Sequence, residues 1–272
     1  MDTLRECIYQ DFALEPEDFS VASEELANLI MQYRDLIVQM DTAGITSLGL
    51  ASYDEAFVVK MSYHSNAIEG STLTIGDTAD VLDGLVLPNK SQSEQLAAKG
   101  VADGMEYIAR ELKTGRALSE DLIKDIHERT ALDIDYALRG VYRQAPVYIR
   151  GSEMIPPNWE SVRELMADLV YQYEASELNN IYKAIAFHVA FENVHPFQDG
   201  NGRTGRNVLN FMLLQQGLPP VALRYDKEHS YTNALQAWQV SRDKKHFIVQ
   251  VIHNLRSELE ERVKIIAQEL TD

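Results

Sequence analysis

The chain has 272 residues, with 25 Lys and Arg against 42 Asp and Glu, a formal charge of −17. So acidic a chain lacks the basic face of a nucleic-acid binder and is no polybasic membrane-surface protein. With 45% hydrophobic and 25% charged residues it is not disordered by composition, and an anionic ligand would need a local exception to the global field. Length suits one large domain or two small ones. The one cysteine, Cys7, excludes an intrachain disulfide and suits a reducing compartment. Met1-Asp2-Thr3-Leu4-Arg5-Glu6 offers neither the basic nor the apolar part of a signal peptide. No apolar run approaches the roughly 18 residues of a spanning helix, so a cytoplasmic protein is expected.

Leu26, Leu29, Ile30, Tyr33 and Ile37 recur at helical spacing, ending near Asp41-Thr42-Ala43-Gly44. Ser52-Tyr53-Asp54-Glu55 reads as a capping box opening a helix with Phe57, Met61 and Ile68, closed by Gly70. Further helices are predicted over about 93–113, from an N-cap at Ser119, and over 158–173 and 179–192. A helix over about 202–216 stops at Gly217-Leu218-Pro219-Pro220, and two more cover roughly 227–239 and 244–268. Residues 141–152 alternate and are rich in β-branched and aromatic types, which predicts a short β-hairpin with a turn at Gly151-Ser152. Its free edge could dock an extended peptide. The loose joints are 41–52 and 87–93, so the expectation is one mainly α domain with an N-terminal extension.

Between two of these helices stands His195-Pro196-Phe197-Gln198-Asp199-Gly200-Asn201-Gly202-Arg203-Thr204-Gly205-Arg206. Pro196 biases His195 toward extended geometry. The glycines allow close backbone approach, and the turn 199–202 leads into a helix N-terminus, an anion site through amides and dipole. Arg203 and Arg206 share a face where cations oppose the dipole, which makes sense if an anion binds them. One carboxylate, Asp199, against Arg203, Arg206 and Arg224 gives 193–224 a local charge of +2. The set suits a polyphosphate with a divalent cation on Asp199, and His195 is the natural general base. His64, His127, His188, His229, His246 and His253 have no convincing metal-ligand spacing. His188 falls on an apolar stripe with Ile181 and Ile185, as a core histidine would.

At 195–206 the sequence resembles the Fic family, whose pattern His-x-Phe-x-Asp/Glu-Gly-Asn-Gly-Arg-x-x-Arg is matched at every defined position. The resemblance runs from about Ser52 to the C-terminus. It implies a Fic-type helical bundle with a β-hairpin flap. It divides the chain into an N-terminal helical extension (1–50), an inhibitory-helix region (51–90) and a catalytic core (91–272), within one continuous unit. The implied activity is transfer of AMP from ATP to a Ser, Thr or Tyr hydroxyl of a target protein, the chain itself included. By resemblance His195 deprotonates that hydroxyl and Asp199 binds Mg²⁺. Gly200, Asn201 and Gly202 hold the α-phosphate, Arg203 the β- and Arg206 the γ-phosphate, with Thr204 and Gly205 in the same nucleotide-binding stretch. Val147 and Tyr148 of the flap align the target, and Tyr231 lies near the base. Ser65-Asn66-Ala67-Ile68-Glu69-Gly70 resembles the family's inhibitory motif. By that resemblance Glu69 takes the place of the γ-phosphate on Arg206 and can also support AMP removal. Family members often associate, so a homo-oligomer is a possible partner state. The alternative is a nucleotide-binding regulatory module with little catalysis.

Overall fold

The computed structural model describes residues 2–14, 24–149 and 151–271. Eleven α-helices are described: α1 (Asp2–Phe12), α2 (Glu24–Ala43), α3 (Leu48–Ile68), α4 (Ile75–Leu82), α5 (Gln92–Thr114), α6 (Glu120–Thr130), α7 (Val162–Ala175), α8 (Asn180–Val194), α9 (Asn201–Gln215), α10 (Ser230–Ser241) and α11 (Lys245–Glu269). Short 3₁₀ turns lie at Tyr136–Leu138 and Trp159–Ser161. The fold is helical, and none of its described helices is long and apolar enough to cross a membrane.

α8 is the axis. Ala184, Ile185, Phe187, Val189, Ala190 and Phe191 on it are all fully buried, as expected of a helix apolar on every side. The main apolar cluster runs from Ile8 on α1 to Leu259 on α11, and a small separate one joins Leu73, Val81 and Ala98. Two glycines let α5 come close to its neighbours. A Cβ on Gly100 would lie 2.0 Å from the Thr130 carbonyl, and one on Gly104 would lie 2.3 Å from Asn207 Nδ2. α5 therefore packs backbone-close to the end of α6 and to α9, the helix that carries both motif arginines.

Local chemistry sets most ends. Ser91 with Glu94 and Thr74 with Asp77 form capping boxes, while Ser119 and Asn179 cap α6 and α8. The capping box expected at Ser52 does not form. Ser47 caps α3 instead, accepting from Leu50 N at 2.8 Å. Gly49 falls in the first turn, where its N–H needs no partner within the helix and donates to Glu269 Oε1 at 2.7 Å, so the helix extends back and the joint expected over 41–52 shrinks to 44–47. Helices α1 and α4 are additions to the sequence reading. α1 is held through Asp11, which accepts from Trp238 Nε1 (3.0 Å), Arg242 Nη1 (2.8 Å) and Asn193 Nδ2 (2.8 Å).

The expected β-hairpin over 141–152 is absent, though Arg150 within it lies outside the described residues. Residues 143–149 form no strand. Tyr142 instead makes an antiparallel bridge with Phe197, and Arg143 N donates to the Pro196 carbonyl at 2.9 Å. Among the described residues, the one bridge in the segment is made to the motif loop, not within the segment itself. Pro146 also removes a donor that a hairpin ladder would use. The segment is held by Arg143, 3% exposed, whose guanidinium donates to the carbonyls of His195 (2.8 Å) and Pro157 (2.6 Å).

Candidate active site

His195 ends α8 and is not extended as expected. Its φ of 49° and ψ of 60° are left-handed, while its N–H still bonds the Phe191 carbonyl at 2.9 Å. Completing the α8 turn outweighs the bias from Pro196, and Arg143 clamps the carbonyl of the resulting corner. Such a conformation is rare for a side-chain-bearing residue and is retained where the surroundings impose it. The loop then turns at Gly200 (φ 76°) into α9. Asn201 fixes that turn from within: its Oδ1 accepts from Phe197 N at 2.8 Å and its Nδ2 donates to Phe197 O at 2.9 Å. The Asn201 side chain is thus a loop clamp, and its main chain opens the helix.

A cleft of about 620 Å³ lies over this loop, lined by His195, Asp199, Gly200, Asn201, Gly202, Arg203 and Glu69, with Val147, Tyr148 and Ile149 at its side. A smaller cavity of about 160 Å³ adjoins it, lined by Glu192, Arg206, Tyr231, Gln236 and Gln239. Glu69, His195 and Gly202 line both. Thr204 and Gly205 line neither. Helical rotation turns them away from Gly202, Arg203 and Arg206. Thr204 is fully buried, and a Cβ on Gly205 would lie 2.6 Å from Glu192 Oε1 on α8. In this structure both are packed between helices.

Both motif arginines are buried and already paired. Arg203 donates to Asp133 Oδ1 at 2.6 Å and lies 3.8 Å from Asp199 Oδ1. Arg206 Nη2 donates to Glu69 Oε1 at 2.6 Å and to the Ser65 carbonyl at 2.9 Å, while its Nε donates to Ser65 Oγ at 2.8 Å. The local charge of +2 is therefore cancelled by carboxylates from outside the motif. Burial alone would raise the Glu69 pKa, but Arg206 outweighs it and holds the carboxyl below its ordinary value. Glu69 Oε1 would lie 2.2 Å from a Cβ on Gly202, so the carboxylate rests directly against the first turn of α9.

Tyr231 is buried, its hydroxyl 2.9 Å from His188 Nε2 and its ring centroid 5.5 Å from the Arg206 guanidinium carbon. Burial pushes His188 down to about 3, so this core histidine is neutral. Burial also pushes His195 down to about 4, with Glu69 opposing. The imidazole is therefore unprotonated at neutral pH and able to accept a proton. Three further residues escaped the sequence reading as parts of the site. Asp133 pairs with Arg203 across 70 positions. Glu192, 5% exposed, is pushed up to about 8 by burial, with its Oε2 3.9 Å from His195 Nδ1. His127 stacks on Phe197 beneath the loop. Only Glu192, a carboxylate inside an apolar helix run, left a visible signal.

This geometry, a histidine corner over a helix start with two buried arginines, has known counterparts. Residues 117–213 match the model of the Fic/DOC family. They form a Fic/DOC-family domain. The chain is 32% identical over 174 residues to "Protein adenylyltransferase Fic" of Nematostella vectensis, covering 62% of this chain and 40% of that one. It is 34% identical over 179 residues to "Protein adenylyltransferase fic-1" of Caenorhabditis elegans, covering 64% of this chain and 35% of that one. The chain thus spans less than half the length of these curated relatives. Among solved structures, a Fic-domain-containing signalling protein of Bacteroides thetaiotaomicron superposes with a TM-score of 0.76 at 26% identity, covering 89% of this chain and 96% of that one. Fic-1 of C. elegans gives 0.73 at 26% identity, covering 88% and 71%. The likeness to these structures reaches well beyond 117–213, into the helices that frame the Fic domain.

Proposed function

We propose that this chain transfers AMP from ATP to a hydroxyl side chain of a protein and that Glu69 restrains the transfer. The observation carrying the reading is the Fic motif folded against two adjoining cavities, one lined by His195, Asp199 and Arg203 and the other by Arg206, with Glu69 lining both and bonded to Arg206. In this reading the target oxygen attacks the α-phosphorus, the bond to the bridging oxygen breaks, and pyrophosphate leaves. His195 takes the hydroxyl proton; phosphate charge entering the cleft raises its low pKa toward neutrality. Gly200, Asn201 and Gly202 present helix-start amides to the α-phosphate, and Arg203 and Arg206 take the β- and γ-phosphates. Tyr231 borders the base end of the cavity.

Asp199 fits a role as Mg²⁺ ligand: its side chain is 68% exposed on the cleft. Among the described residues no group of three or more His, Cys, Asp or Glu could hold a metal alone. A single carboxylate sharing the ion with substrate phosphates suits Mg²⁺, which would supply charge neutralisation on those phosphates. Val147 and Tyr148, the latter 87% exposed, flank the cleft where a target chain would lie. Because Glu69 shares the cleft with His195, it is also placed to orient a water for AMP removal from a modified target.

The test is incubation with labelled ATP and Mg²⁺. Glu69→Gly should label itself or a lysate protein more strongly than the parent, and adding His195→Ala should abolish the label. Absence of label from Glu69→Gly with Mg²⁺ or Mn²⁺ overturns the reading. ATP binding without turnover in that variant would instead favour a nucleotide-binding regulatory module.

A further inference from the structure

His127 has no part in the chemistry above, yet its ring makes three directed contacts beneath the phosphate loop. The Gly140 N–H donates to its Nδ1 at 2.8 Å. Its Nε2 lies 2.9 Å from the Asp199 carbonyl oxygen. The ring stacks on Phe197 with centroids 3.7 Å apart and planes 10° from parallel. His127 is fully buried. An N–H can only donate and a carbonyl can only accept, so Nδ1 must be the bare nitrogen and Nε2 must carry the proton.

The consequence falls on one peptide unit. With the Asp199 carbonyl turned down onto His127, the trans peptide sends the Gly200 N–H to the opposite side. There it meets Asp199 Oδ1 at 2.6 Å, on the cleft. Gly200 has φ of +76°, a conformation from which a flip of the preceding peptide is sterically cheap. A flipped 199–200 peptide would present a carbonyl oxygen to the cleft where an amide now points, reversing the polarity of the anion site. A Cβ on Gly200 would lie 3.4 Å from His127 Nε2, so the ring also backs the loop directly.

We propose that His127 is a positioning residue for the phosphate-binding loop: as the Nε2–H tautomer it locks the Asp199–Gly200 peptide with its amide toward the cleft. The proposal rests on the functional reading only in taking the α-phosphate of a nucleotide as the ligand fragment that the loop holds.

The experiment uses the full chain carrying Glu69→Gly, so that the loop is accessible, with ADP and Mg²⁺ as probe. Nitrogen chemical shifts of ¹⁵N-histidine-labelled protein should show His127 as the Nε2–H tautomer. His127→Phe keeps the stack and loses both hydrogen bonds, and should weaken ADP binding about tenfold. His127→Gln can still donate to the Asp199 carbonyl and should recover most of that loss. An Nδ1–H tautomer, undiminished binding in a folded His127→Phe protein, or His127→Gln as weak as His127→Phe would each overturn the proposal. If His127→Phe does not fold, the tautomer and the His127→Gln affinity decide it. ADP binding without AMP transfer from ATP in the Glu69→Gly parent would defeat the transferase reading and leave this proposal to be judged on binding.

Discussion

Replacing Glu69 should change affinity for the outer phosphates of ATP and little else. Arg206 is 2% exposed and donates three hydrogen bonds, two to Ser65 and one to Glu69. The Ser65 bonds persist when Glu69 is removed, so the guanidinium stays aimed at the cavity. A hydrogen bond between charged groups is worth about 1.5–3 kcal/mol. The Glu69 side chain is 45% exposed, so solvent screening brings its share toward about 1.5 kcal/mol. An incoming phosphate must displace that interaction, which corresponds to about tenfold in affinity. Isothermal titration should therefore give Glu69→Gly an ATP Kd about tenfold below that of the parent. AMP, which lacks the phosphates that reach Arg206, should bind both proteins alike. Glu69→Gln keeps the shape without the charge and should fall between. Equal ATP affinity in parent and Glu69→Gly would refute the competition, and equal tightening of ATP and AMP would refute its assignment to Arg206.

Three other outcomes follow from burial and packing. Glu192 holds its proton up to about pH 8 when folded, against an ordinary value of 4.5; the unfolded chain releases it first, so stability contributed by this group falls as pH rises between those values. The slope is about 1.4 kcal/mol per pH unit, and Glu192→Gln should remove it from urea unfolding compared at pH 6 and pH 8; an unchanged slope would show that Glu192 is ionised in the fold. Gly100→Ala drives a methyl into the Thr130 carbonyl 2.0 Å away and should cost about 2–4 kcal/mol in denaturant unfolding. Asp11→Ala strands the fully buried Trp238 indole N–H and should cost about 2–3 kcal/mol, with faster proteolysis at α1.

The helices from α5 onward were legible because glycine, proline and capping residues punctuate strong apolar periods. The Ser65, Glu69 and Arg206 cluster was legible only through resemblance, since nothing in a single sequence says that positions 137 apart meet. A separation of 70 positions likewise hid Asp133 behind Arg203. The hairpin failed for a different reason. Alternation over 141–149 signals extended chain but does not name its partner, which proved to be Phe197 on the motif loop. His195 was misjudged because the preference set by Pro196 is weaker than the pull of closing α8 and the Arg143 clamp on its carbonyl. Thr204 and Gly205 show that a contiguous motif is not a contiguous surface: a helix gives the cleft only some of its residues.

The two arginine pairs differ in a way that explains how so acidic a chain can hold an anion. Asp133 is 12% exposed and faces a 5% exposed Arg203, so parting them would strand two buried charges. Glu69 is 45% exposed, stands at the end of α3, and lines both cavities. Once displaced, it returns to water that it already half occupies, and its desolvation cost is small. In the proposed reading a phosphate exchanges with Glu69 on Arg206 and leaves Asp133 on Arg203, so each arginine keeps an anionic partner throughout, while the incoming charge still adds to the −17 of the chain. Net charge bears on encounter with the cleft, but the partner exchange at Arg206 sets the affinity within it.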